Sequence, residues 1–205
     1  MQTSQKEIND KLNLIMEKLE KISEQIKIED NSEEILKKSK IVDVKQISII
    51  KNWISPNQKI NCKLLYDGRR DGNLSDNFHS QCDNKGPTIT FIKTKQGRRF
   101  GGFSMQNWNK GQADYINDDK AFIFDLDKNE KYDVVLPGKA IYSIYGCGPI
   151  FGCHHDIRLK DNFFYDNESY YYHKNNSYYK YSSNIDNNKI YFTCEELEVY
   201  QILFL

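Results

Sequence analysis

The chain has 205 residues, with 29 Lys and Arg set against 29 Asp and Glu, for a formal net charge of zero. That length holds one core domain plus an appendage. Its balanced charge lacks the basic footprint of a nucleic-acid binder. No run of about 18 apolar residues occurs, so no membrane insertion is expected, and the opening residues MQTSQKEINDK carry no apolar signal core. Five scattered cysteines (Cys62, Cys82, Cys147, Cys153 and Cys194) then read as free buried thiols in a reducing, cytoplasmic setting.

In chain order, the first element is a helix with a seam. Ile8, Leu12, Ile15, Leu19, Ile22 and Ile26 alternate steps of four and three residues, the 3.5-residue period of a coiled coil. Leu predominates at one core position of the heptad and Ile at the other, which favours trimers or tetramers over a parallel dimer. The seam is about 28 Å long at 1.5 Å per residue and too short to stand alone in water. Homo-oligomerisation through residues 8–26 is therefore expected. The competing reading is an amphipathic helix lying on its own domain, but only Leu14, Met16 and Ile28 widen the stripe.

Glu29-Asp30-Asn31-Ser32 interrupts the seam. Ser32, followed by Glu33 and Glu34, marks a new helix start. The expected organisation is a coiled-coil helix at 1–30, a helical linker at 31–44 and a globular domain from 45 to 205. The stretch from Ile35 to Ile54 is too densely apolar for an exposed helix, and Ser55-Pro56-Asn57 ends it.

From Cys62 onward the pattern is strand-rich. Asp67-Gly68 and Asp71-Gly72 read as two tight turns, since alternating calcium ligands ending in Glu are missing. Thr88–Thr94 is β-branched and aromatic, Lys95-Gln96-Gly97 is a hairpin connection, and Arg98–Ser104 returns. Gly101-Gly102 inside that return marks a close packing contact or a bulge. Trp108–Asp119 reads as a polar loop and Ala121–Leu126 as a strand. Lys139–Tyr145 and Asp156–Leu159 are strands around a Gly/Cys/His turn. Phe163–Asn188, rich in Tyr and Asn, is expected to hold a long loop, its tyrosines serving either as a protein contact or as cover for a sheet. Glu195–Leu205 reads as a closing strand whose end is buried on both sides. Short strands without helical crossovers predict an α+β, mainly β fold: an antiparallel two-sheet sandwich flanked by short helices.

Six stretches occur in the order found in one family: LLYDGRRDG (64–72), FHSQCDNKGPT (78–88), FGGFS (100–104), YINDDKAFIFDL (115–126), IYSIYGCGPIFGCHHD (141–156) and EELEVYQI (195–202). On these the chain resembles the TLDc domain, the module of oxidation-resistance proteins. The resemblance implies a β-sandwich edged by helices and a role in protection from oxidative stress. In some relatives it implies binding to subunits of the V-ATPase; it implies no established active site. The chain departs from the family at Cys153 and His154, where glycine is common, and at Cys147-Gly148.

Individual residues support a non-enzymatic, protein-binding reading. The Arg69-Arg70 and Arg98-Arg99 pairs read as solvated loop charges. Cys147 and Cys153 stand too far apart, and His154 and His155 too close together, for a zinc-binding pattern, so no metal and no cofactor is expected. Asp156 is expected to hold its turn through backbone N–H groups. The candidate contact surface comprises Gly72, Gly102, Phe151, Gly152, His155 and Asp156. The alternative is a thiol- or metal-dependent hydrolase or peroxide-handling enzyme built on Cys153, His155 and Asp156.

Overall fold

A computed structural model describes residues 6, 8, 9, 11–18, 30–153, 155–166, 168–172 and 189–205. The chain divides into two units, Met1–Asp30 and Asn31–Leu205. In the first, residues 11–18 are helical, and Ile8, Leu12 and Ile15 of the seam are exposed. Leu19, Ile22 and Ile26 lie outside the described residues.

The second unit opens with two helices, α1 (Ser32–Leu36) and α2 (Val44–Ile54). Ile47 and Ile50 put one face of α2 into the core. The helix ends where Ser55 turns extended, as a residue before proline is driven to do. Next come β1 (Ile60–Asp67), α3 (Gly68–Asp71), α4 (Ser75–Cys82), β2 (Thr88–Thr94), β3 (Arg99–Ser104), β4 (Asp114–Ile116), β5 (Phe122–Asp125) and β6 (Glu130–Asp133). The last six strands are β7 (Ile141–Ser143), β8 (Cys147–Phe151), β9 (Ile157–Lys160), β10 (Ser169–Tyr172), β11 (Lys189–Phe192) and β12 (Cys194–Phe204).

The strands form two six-stranded antiparallel sheets, in the orders β1-β12-β2-β3-β5-β6 and β11-β10-β9-β8-β7-β4. The expected two-sheet sandwich with short helices is the observed architecture. It carries two apolar layers. Between the sheets lie Tyr66, Phe78, Ile92, Phe100, Trp108, Phe151, Ile157, Leu197 and Val199. On the other side of the first sheet, Leu36, Ile41, Val42, Ile47 and Ile50 meet Ile89, Phe91, Phe103, Phe124, Tyr200 and Ile202. The first sheet is thus buried on both faces, which is why β2 and β5 read as continuous apolar runs.

Several local expectations change. Residues 31–44 are not a linker but part of this body, because Leu36, Ile41 and Val42 are needed to cover the first sheet. The helix start expected at Ser32 is observed, with Glu33 and Glu34 in the first turn of α1 and Asn31 at its N-cap. The two tight turns are one helical turn, α3: the Asp67 carboxylate accepts from the backbone N–H groups of Arg69 (2.8 Å) and Arg70 (3.4 Å). The polar loop at 108–119 contains β4 and a fully buried Trp108 whose indole N–H donates to Thr88 Oγ1 at 2.9 Å. The Gly/Cys/His turn contains β8. The last strand ends with Leu203 and Leu205 exposed, and its burial stops at Ile202.

Candidate interaction surface

The glycine-rich motif of β3 holds the two sheets at their spacing. A Cβ on Gly102 would stand 2.6 Å from the Phe151 ring, and one on Gly101 would stand 1.9 Å from the Thr90 carbonyl oxygen. Phe151 is fully buried, with its ring edge-on to Trp108 at 5.5 Å. Gly102 and Phe151 therefore form a joint inside the sandwich.

The turn after β8 is equally committed. Gly152 has φ +87, and its Cβ position is filled by the Asp156 carboxylate at 1.8 Å, so no larger residue fits while Asp156 points inward. Gly152 N–H donates to the Ala140 carbonyl at 2.8 Å, and His155 N–H to the Gly152 carbonyl at 3.1 Å. Asp156 is buried, whereas His155, at φ +65, turns onto the outer face of the second sheet. Gly72, at φ +102, ends α3, and its carbonyl accepts from the Tyr66 hydroxyl at 2.5 Å. Of the six residues singled out from sequence, four are interior and only Gly72 and His155 reach the surface.

The arginine pairs make specific bonds: Arg98 and Arg99 are largely covered, whereas Arg69 and Arg70 remain exposed, as expected of loop charges, while bonding to neighbouring groups. Arg69 donates to the Glu195 carbonyl (2.9 and 2.5 Å) and lies 4.1 Å over the Phe164 ring. Arg70 grips Asp71 through two bonds of 2.7 Å. Arg98 meets Asp125 at 2.6 Å. Arg99 reaches Asp127 at 3.0 Å, Asp43 at 2.9 Å and the Ile41 carbonyl at 3.2 Å, pinning the helical layer to the first sheet.

All five cysteines are reduced and buried. Burial pushes the Cys82 and Cys194 thiols well above their ordinary range, which removes the thiolate that nucleophilic or redox chemistry needs. His79 is buried on α4, with Nδ1 2.7 Å from Asp83 Oδ1 and Nε2 3.0 Å from the Cys147 carbonyl and 3.2 Å from that of Ile144. It ties α4 to the β7–β8 connection. Among the described residues, no three His, Cys, Asp or Glu lie together in a way that could hold a metal ion.

The outer face of the second sheet is different in kind. Register places Tyr115, Tyr142, Ile150, Arg158, Tyr170 and Tyr191 in one row, one residue from each strand of the sheet. The adjacent row, Ile116, Ile141, Phe151, Ile157, Tyr171 and Ile190, points the other way; its Ile141, Phe151 and Ile157 enter the core between the sheets. Along the outer row the rings of Tyr115 and Tyr142 pack at 4.9 Å and those of Tyr170 and Tyr191 at 6.0 Å. His155 lies 5.5 Å from Tyr142, and Arg158 Cζ 6.0 Å from the Tyr170 centroid. A groove runs along this face past Tyr115, Tyr142, Tyr145, His155, Arg158 and Lys160. Of this row only Tyr170 falls in the tyrosine-rich stretch 163–188 that the sequence marked as a contact or as cover. Alternation in IYS and IRLK was the available signal, but the row closes only through β8, whose Cys-Gly-Pro composition has poor strand propensity.

These features, the glycine joint and the turn sealed by aspartate, belong to a two-sheet sandwich whose first sheet is covered on both faces. Residues 35–203 match the TLDc domain model, and the chain belongs to the TLDc family. Among curated proteins it is similar to the MTOR-associated protein MEAK7 of Danio rerio, at 28% identity over 64 residues. That stretch is 31% of this chain and 14% of the relative, so the match covers about one seventh of that protein's length.

Proposed function

We propose that this chain is a non-enzymatic protein-interaction module that serves protection from oxidative stress by docking on the V-ATPase from the cytoplasmic side. The observation that carries the reading is the family match, which spans nearly all of the folded body from residue 35 to residue 203. The disposition of the reactive side chains supports it. The thiols are buried, Asp156 seals a turn, and His79 joins two elements. In this reading, protection comes through a partner and not through scavenging by exposed thiols. The fish relative is named for association with mTOR, and a place in such a regulatory assembly is the narrower form of the same proposal.

The test is direct. Full-length protein is mixed with purified V-ATPase, and co-elution and ATP hydrolysis are followed. Co-elution with a changed hydrolysis rate is expected; independent elution, with the rate untouched, would refute pump docking.

Residues 8–26 supply the second part of the proposal. Their seam assembles three or four chains, and the assembly multiplies weak contacts through effective concentration. Sedimentation of the intact chain as a trimer or tetramer is expected, with Leu19→Asp returning it to monomer. A monomeric parent would end this part of the reading.

A further inference from the structure

The first sheet has both faces covered, by the second sheet and by α1 and α2. The second sheet has one face in the core; on the other, Ile150 and Tyr170 are buried, Tyr115, Tyr142, His155 and Arg158 are half-buried, and Tyr145 and Tyr191 are exposed. That outer face is not a generic polar surface. Its central row carries four tyrosines, one isoleucine and one arginine. Across six strands it runs about 24 Å at roughly 4.8 Å per strand, too long for one small molecule and suited to an extended peptide of seven or so residues at about 3.3 Å each.

Charge selects the occupant. Among the described residues no carboxylate lines the groove, while the cationic Arg158 and Lys160 do, beside the His155 ring. Lys139 Nζ adds a cation 5.3 Å from the Tyr115 ring at one end, and Lys110 Nζ stands 5.9 Å from the exposed Tyr145. Lys160 is engaged by Glu168 at 3.0 Å and Lys110 by Asp76 at 3.0 Å. Among the described residues Arg158 makes a 3.5 Å contact from Nη2 to Cys147 Sγ and interacts with Tyr170, its Cζ 6.0 Å from the ring centroid, and its Nε has no hydrogen-bond partner. In a chain of zero net charge, this is a local concentration of cations set among aromatic rings. Arginine and tyrosine are both enriched among the residues that dominate protein contacts, and the planar arginine fork matches a carboxylate. The tyrosine rings pack tilted against one another and do not present a ladder of open faces. This disfavours a nucleic-acid strand, which takes a run of stacking platforms.

We propose that the outer face of the second sheet binds an extended acidic segment of a partner protein. One carboxylate of the segment sits on Arg158, and an apolar side chain lies against Tyr115 and Tyr142. This rests on the reading of the chain as a protein-interaction module, and it names the surface and the chemistry of what that surface takes.

The full chain is titrated into a fluorescein-labelled ten-residue peptide of glutamates interrupted by two leucines. A twin carrying glutamine at every glutamate is titrated in parallel, and binding is read by anisotropy. The glutamate peptide is expected to bind at least tenfold more tightly than its twin, and to weaken as salt rises. Arg158→Gln should weaken it at least tenfold and Lys139→Gln about threefold, while Lys45→Gln on the far side leaves it unchanged. Lys139 is exposed and outside the core, so that variant reads the face even where Arg158→Gln folds poorly. Equal binding of the twin, no effect of either variant, or displacement by a ten-residue oligothymidine as efficient as by unlabelled peptide would each overturn the proposal. So would absence of binding. The V-ATPase co-elution test is run on the same variants. Pump association that survives in Arg158→Gln while the peptide fails to bind removes this face and leaves the module reading standing. Peptide binding that follows the expected pattern without any pump association does the reverse.

Discussion

The two sheets of this sandwich contain the same number of strands but face different surroundings. The first is covered twice, so its strands are apolar on both sides: Ile89 and Phe91 face the helices, and Ile92 faces the second sheet. The second is covered once, and its strands alternate: Ile141 against Tyr142, Ile157 against Arg158. Substitution on the first sheet should therefore cost stability, whereas on the outer face of the second it should change what the protein can hold. The clamps are distributed to match. Arg99 joins the first sheet to its helices through Asp43 and the Ile41 carbonyl, whereas Arg158 has no carboxylate partner among the described ion pairs.

The sharpest way to break this contrast is to truncate one aromatic ring on each sheet. Phe91 is fully buried against Phe124 and Tyr200. Phe91→Ala should cost about 3–5 kcal/mol, because the layered core cannot collapse onto the gap. Tyr191 is more than half exposed and packs edge-on to Tyr170; Tyr191→Ala should cost less than about 1 kcal/mol. Urea melts of both variants measure the difference, and equal losses would remove the distinction between the sheets. Next in size is the joint between neighbouring strands. In Gly101→Ala the new methyl meets the Thr90 carbonyl, a backbone atom that can retreat only by breaking the β2–β3 ladder. A loss of about 3 kcal/mol is expected. Gly97→Ala, at the hairpin tip, meets nothing within 4 Å and should lose only the smaller cost of its φ of +84. The two melts, compared, show whether contact or conformation dominates.

How much of this was legible beforehand depends on where the information sits. The doubly covered strands announced themselves, since TITFIKT and AFIFDL are apolar whichever way they face. The packing role of Gly101-Gly102 also followed, because paired glycines inside a strand have few other uses. What escaped was long-range. Asp67 and Asp71 look like turn residues, and nothing local tells that the first caps a helical turn while the second accepts from the Asp67 N–H at 2.9 Å. Arg69, exposed as its loop suggests, gains partners that no local signal announces, the Glu195 carbonyl and the Phe164 ring from the far end of the chain. The tyrosine row is the extreme case. Each member sits on a different strand, so the surface exists only once register is set, and β8 could not be recognised from Cys-Gly-Pro.

A finer contrast lies within β12, where two glutamates, Glu198 buried and Glu196 partly buried, share one side of the strand. Glu198 is fully satisfied, accepting from Ser39 Oγ (2.6 Å), Lys40 N–H (2.9 Å) and the Tyr200 hydroxyl (3.0 Å). Glu196 is not. Its Oε2 has no hydrogen bond, and Lys40 and Arg69 stand off at 4.0 and 3.7 Å. Burial raises the Glu196 carboxyl above its ordinary value of 4.5, against the pull of those two cations. A carboxyl that binds its proton more tightly when folded contributes stability below its unfolded pKa, and that contribution is lost as pH rises through the folded one. At neutral pH the Glu196 charge is therefore a liability. Glu196→Gln should raise the melting temperature modestly at pH 7, and the gain should shrink towards zero as pH falls to about 4. Asp67 and Asp71 move the other way. Asp67 is pulled down, despite its burial, by bonds from Lys40 and the α3 amides, and Asp71 is lowered first by Arg70. Their stabilisation holds at neutral pH and falls away in acid, so both proteins lose stability as pH drops. The difference between variant and parent, measured by calorimetry across that range, isolates Glu196, and a difference that grows as pH falls would reverse the assignment.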